Sequence, residues 1–204
     1  MKALKAIIAA IMMCSPIAAE FDVGADVVSR YVWRGSLADD NVAVQPSLSY
    51  TAGDLELGAW SSWAIASSGN NESDLYVTYT GLPVAVTLTE YYFPGEGSDF
   101  FEFGDAAGVH QLEVSGAFEA GAIGIAAAVI VSGEPDNPLY LEGSYHLPAG
   151  ADLVAAVGTE SYTTTGDPAL IWVGLSASRD AYTATYIVNP DAEQSWLVIS
   201  LELD

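Results

Sequence analysis

Alternation of apolar and polar side chains with a period of two runs through this chain from residue 21 to its end, and no segment of helical period competes with it. Bounded by clusters of Gly, Pro, Asn, Asp and Ser, the alternating runs predict about twelve strands, beginning at 21–35, 42–50, 55–65, 74–80, 84–93 and 109–118. The second half supplies 122–131, 138–147, 151–162, 170–177, 182–188 and 195–203. Within the strands the two faces differ sharply. Leu55, Leu57, Ala59, Trp63 and Ile65 share one face, with Glu56, Gly58, Trp60 and Ser62 on the other; Leu197, Ile199, Leu201 and Leu203 likewise oppose Trp196, Ser200 and Glu202. Continuous apolar rows suit a lipid-facing exterior, and the small and polar rows between them suit an interior. Glu90 falls in the apolar row of its strand, toward the end that meets a long link, where an outward charge costs less than at a membrane midplane. Pro46 has no N–H to give a ladder and predicts a bulge or a strand end.

The connections alternate in length. Tight turns at 52–54, 81–83, 119–121, 148–150 and 178–180 are separated by longer, polar links at 36–41, 67–73, 94–108, 132–137, 163–168 and 189–194. An up-and-down barrel in an outer membrane keeps short turns at one end and long loops at the other, whereas a Greek-key sandwich has no reason to hold that order. The fold expected is therefore all-β, an up-and-down antiparallel transmembrane β-barrel of about twelve strands. Its rival is a secreted soluble β-sandwich. Tyr and Trp near strand ends, among them Tyr31, Trp33, Tyr92, Tyr145 and Tyr186, together with Tyr91, Tyr140, Tyr162 and Trp196, predict aromatic girdles at the two membrane interfaces.

The first nineteen residues stand apart. Lys2 and Lys5 precede an apolar run over 6–13, and Ala18 and Ala19 follow Pro16, the three-part pattern of a signal peptide cleaved after Ala19, with residues 20–204 forming the barrel. The apolar run falls well short of the ~20 residues of a spanning helix. Met12 and Met13 stand where a lipoprotein would carry small residues before Cys14. Loss of the leader removes both lysines and the only cysteine, leaving Arg30, Arg34 and Arg179 against 27 carboxylates, a formal charge of 3 − 27 = −24. That charge repels nucleic acid, and the lack of cysteine rules out a disulfide scaffold for the mature chain. With 51% hydrophobic residues the chain is not disordered despite its charge.

Candidate chemistry is sparse. His110 and His146 are the only histidines, no cysteine remains for a mixed metal site, and the acidic link 94–108 lacks the carboxylate spacing of a calcium loop; solvated acidic loops are expected, with loose divalent-cation binding as the alternative, and no cofactor or dedicated metal site. Ser144 and His146 share a strand face and are the one pair that a barrel lipid hydrolase could use. The inward face is more informative. Arg30 and Arg34 share it with Glu56, Glu113, Glu142, Glu160 and Glu202, an excess of acid that makes either a paired polar plug or a cation-leaning channel.

Ser29, Tyr31, Arg34 and Gly35, followed across a short acidic link by Ala43, Gln45 and Pro46, resemble the opening hairpin of the TorF-type porins and related bacterial outer-membrane barrels. The later phrase Leu57-Gly58-Ala59-Trp60 fits them too. The resemblance covers about the first quarter of the mature chain and implies an outer-membrane barrel for passive transport, with no catalytic residues. The expected function is that of a non-enzymatic porin: a monomer surrounded by outer-membrane lipid, passing small hydrophilic solutes. A non-conducting structural or adhesive barrel is the alternative.

Overall fold

The computed structural model describes residues 19–66, 69–95, 101 and 109–203; the expected signal peptide lies almost wholly outside them. Fourteen strands and no helix occur among the described residues. They are β1 (Ala19–Val28), β2 (Tyr31–Trp33), β3 (Ser36–Asp39), β4 (Ala43–Ala52), β5 (Leu55–Ala64), β6 (Glu72–Tyr79) and β7 (Ala85–Tyr92). Then follow β8 (His110–Ala120), β9 (Ile123–Ser132), β10 (Leu139–Leu147), β11 (Ala151–Glu160), β12 (Gly166–Arg179), β13 (Tyr182–Asn189) and β14 (Gln194–Leu203). Twelve of them close into an antiparallel barrel, β1 pairing with β4 on one side and with β14 on the other. Closure leaves the barrel wall without a sheet edge, the standing liability of an all-β chain. The closing seam is short, from Ala25↔Leu203 to Val28↔Ser200, and Ser29 extends it with an N–H to the Ile199 carbonyl at 2.9 Å and an Oγ that accepts from the Ile199 N–H at 3.0 Å.

The exterior is apolar. Phe21, Leu48, Leu88, Ile125, Leu141, Leu175 and Leu197 are all exposed, each on the outward face of its strand, so the leucine rows do not meet across an oily middle as two packed sheets would require. Glu90 does stand in that outward face, but His110 of the neighbouring strand lies across from it, Nδ1 to Oε1 2.5 Å, and Tyr92 stacks on the imidazole. Pro46 makes no bulge. The β4–β5 ladder skips Gln45 and Pro46 and resumes at Ser47↔Trp60 in unchanged register, which is how a strand can tolerate a residue with no N–H.

The first expected strand, 21–35, is the largest departure. The wall strand stops at Val28, and β2 and β3 form a separate two-stranded ribbon. The reason lies in the Arg34-Gly35 pair. Both residues take positive φ, 49° and 79°, between Trp33 and Ser36, which face each other across the ribbon: a two-residue hairpin turn, of the kind whose twist matches paired strands. A run of fifteen residues also exceeds the roughly ten that a tilted spanning strand needs.

Candidate functional site

The β2–β3 hairpin leaves the wall between β1 and β4, at the end of the barrel that carries the longer links, and crosses the lumen. Its tip touches β8 and β10, across the cylinder from where it starts, and also β12 and β13 of the intervening wall. Along the way Tyr31 packs on Trp60 of β5, ring centroids 5.5 Å apart, and Trp33 meets Tyr91 of β7 edge-on at 5.6 Å and Tyr162 at 5.7 Å. Tyr31 and Trp33 are thus corrected from the outer girdle to the interior. Tyr91, Tyr140, Tyr162 and Trp196 are buried as well: inward position, not strand-end position, explains these aromatics.

Arg34 is the centre of the plug. Its Nη1 and Nη2 reach the two oxygens of Glu113 at 2.5 and 2.8 Å, a fork-to-fork pairing, and Nη1 also donates to the Tyr162 hydroxyl at 2.5 Å. The guanidinium carbon lies 4.5 Å from the Trp33 ring centre and 4.4 Å from that of Tyr140. Burial disfavours the charged arginine, but the Glu113 carboxylate outweighs it and holds Arg34 protonated above its ordinary range. The Tyr162 hydroxyl is pushed up to about 12, by burial first, with Arg34 pulling the other way.

Arginine is an unusual occupant of a left-handed turn position, and the strain of φ 49° is held by these contacts. Gly35 is required next to it for a steric reason. A Cβ there would run into the backbone carbonyl of Ile171, which an irregularity in the β11–β12 register turns into the lumen, the pairing passing from Ala156↔Trp172 to Val157↔Leu170 with Ile171 left over. The Gly35 carbonyl also accepts from Nδ2 of Asn189 at 2.9 Å. At the base of the hairpin Asp39 receives the Asn41 N–H at 2.6 Å, the Asn41 side-chain amide at 2.8 Å and the Asn70 N–H, tying β3 to the link before β6. Burial raises the Asp39 carboxyl, and these amide donors more than offset it, leaving it below its usual range.

The lumen itself is acidic. Alternation of the paired strands turns Glu20, Asp22, Asp26, Glu56, Glu119, Glu142, Asp152 and Glu202 inward, among rows of Ser and Thr such as Thr78–Thr87 and Ser176–Thr185. Of the three described arginines, Arg34 is committed to Glu113, Arg30 pairs with Asp40 at 3.2 Å on the loop after β1, and Arg179 stands exposed at a tight turn. Arg30 is therefore not a wall residue of the lumen. Glu160 sits at the loop-side rim, in a left-handed conformation where the β11–β12 register is broken. His146 faces inward with Nδ1 2.7 Å from Asp152, but no hydrogen bond joins it to Ser144 among the described contacts. A cavity of about 330 Å³ lies directly against the hairpin, bordered by Trp33, Arg34, Tyr140, Glu142 and Trp172.

On the outside, Tyr145 and Tyr186 are exposed on the apolar face and Tyr92 stands at the loop end. A denser aromatic ring lies nearer the tight turns, and of it only Tyr145 was expected. Phe21 against Tyr50, then Tyr79, Phe118, Tyr145 and Tyr182, all face outward near the tight turns. Counting alternation outward from each turn would have found it.

With fold and plug in place, the chain matches, over residues 14–199, a family described as "Bacterial protein of unknown function (Gcw_chp)". The chain belongs to that family. No curated protein matches it.

Proposed function

We propose that the protein is an outer-membrane barrel, exported by its leader, that acts as a monomeric, non-enzymatic pore of the TorF-type porin kind for small hydrophilic solutes, favouring cations, with the β2–β3 hairpin as its plug. Three features support a membrane setting: a largely apolar exterior, an aromatic ring near the tight turns, and a barrel wall closed without edges. The observation that carries the selectivity is the lumen, where eight inward carboxylates face no unpaired arginine among the described residues. In a low-dielectric cylinder such a set of like charges concentrates cations and repels anions.

The hairpin sets the resting state. It crosses the lumen from the β1–β4 seam to β8 and β10, so conduction requires either that it swing aside or that solutes pass beside it. That same observation favours a second reading, a barrel that never conducts and holds its loops out for other partners. Planar-bilayer recording separates the two. The wild type and a variant with residues 30–41 replaced by a short Gly-Ser linker are compared across a potassium chloride gradient. The pore reading expects a reversal potential on the cation side and larger conductance in the trimmed variant. A correctly folded trimmed barrel that passes no current, or one that prefers chloride, defeats it.

A further inference from the structure

Beside the Arg34 latch lies a second charged cluster that the pore reading leaves unused. Glu72 and Asp74 are successive inward residues of β6, 6% and 7% exposed, and the Tyr31 hydroxyl of the hairpin comes within hydrogen-bonding reach of Glu72. Ser62 faces Glu72 across the β5–β6 ladder and accepts from the Gln45 side-chain amide at 3.1 Å, which leaves the Gln45 carbonyl oxygen free of that bond. Glu72 and Asp74 are close enough to interact directly, and Asp74 Oδ1 is buried with no hydrogen-bond donor.

A buried carboxylate pair is stabilised by a counter-charge or by a proton held between the two groups, and among the described residues no arginine supplies the first. Arg34 is spent on Glu113, Arg30 on Asp40, and Arg179 is at the other end of the barrel. The remaining cations of the sequence are Lys2 and Lys5 of the leader. Glu72 is reached from outside: a polar cavity of about 490 Å³ at the loop end is bordered by Tyr31, Asn70, Asn71, Glu72 and Pro94, with Asp74 one inward position deeper on β6. We infer that Glu72 and Asp74, with Tyr31, Ser62 and Gln45 around them, form a binding site for a hard divalent cation of the calcium class, entered from the loop-end cavity. Oxygen donors alone, two of them charged, and room for waters match calcium better than zinc, which selects nitrogen and sulfur. The site spans two elements, Tyr31 on the hairpin and the carboxylates on the wall, so an ion held there also fixes the plug. The inference stands whether or not the barrel conducts.

The test uses the full-length folded barrel in detergent, stripped with a chelator and titrated with calcium by calorimetry and with terbium by luminescence. Trp60, in contact with Tyr31, is the near sensitiser. The expected result is one saturable site, competed by calcium, weakened roughly tenfold or more by Glu72→Gln or Asp74→Asn, since charge count sets affinity in such sites, and unchanged by Asp167→Asn at the exposed start of β12. Trp60→Phe should lose terbium sensitisation while calcium heats persist, which reads the location even where the carboxylate variants do not fold. Absence of saturable binding to wild type, binding untouched by Glu72→Gln and Asp74→Asn, or an infrared signature of a proton shared by the two carboxyls that persists in excess calcium would each overturn the site.

Discussion

Replacing Arg34 by alanine removes the guanidinium that fastens the hairpin tip to β8. The side chains of Arg34 and Glu113 are 13% and 2% exposed, so the pair belongs to the buried class, in which loss of one partner costs about 3–5 kcal/mol because the other charge is left without compensation. Lost cation–π contacts with Trp33 and Tyr140 add about 0.5–2 kcal/mol. The lower figure alone shifts the docked-to-undocked ratio of the hairpin by roughly two orders of magnitude, at about 1.4 kcal/mol per decade. The wall strands keep all their ladder pairs, so the barrel should still resist detergent and shift on gels upon heating, while channel open time rises steeply. Glu113→Gln should act in the same direction. An apolar pair of similar volume, Arg34→Met with Glu113→Leu, should restore closure, because replacing both members of a buried ion pair is far less costly than orphaning one. Open times for Arg34→Ala within twofold of wild type, in a barrel shown to be folded, would refute the assignment of the latch; failure of the apolar pair to close would move the cause from charge to shape.

Gly35→Ala should displace the tip from Ile171 and raise open time without changing the apparent melting of the wall, read by thermal scans and recording in parallel. Asp39 has a depressed folded pKa, so its contribution to docking is complete above its unfolded value of about 4 and is lost as pH falls through the folded one; limited proteolysis of the hairpin should accelerate only below about pH 4. Neutralising two inward carboxylates, Glu56→Gln with Glu142→Gln, should move the reversal potential toward zero and leave folding intact. On the outer face Leu141→Arg should destabilise the barrel by about 2–4 kcal/mol if that residue lies near the midplane of a bilayer, against little change for the inward Thr87→Arg, as measured by urea titration in lipid.

The wall was legible because its physics is repetitive. Residues such as Leu139, Leu141 and Tyr145 against Tyr140, Glu142 and Ser144 state a side for every position, and the alternation of short and long connections states the order. The plug was not legible by the same means. Tyr31-Val32-Trp33 alternates like a wall strand, and only the turn chemistry of Arg34-Gly35 and the excess length of the run 21–35 distinguish it. Glu72 and Asp74 were passed over for a different reason. Acidic residues recur throughout the chain, and that these two face no arginine is visible only in the folded barrel, where each described arginine pairs elsewhere.

The opening stretch from Ser29 to Pro46 gains a physical meaning from the plug. Ser29 fastens the closing seam to Ile199, Tyr31 stands over Trp60 and Glu72, Arg34 holds Glu113, Gly35 seats on Ile171, and Gln45 reaches Ser62 beside the carboxylates. Each of these residues serves the hairpin or its anchorage, and a bare wall strand would need none of them. A strand in a barrel wall demands only an apolar outer row, which many residues satisfy; a tip that must cross a lumen and meet a carbonyl, a carboxylate and three aromatic rings demands particular residues at fixed spacing. The specific part of the sequence is therefore the part that fills the barrel, and the interchangeable part is the barrel itself.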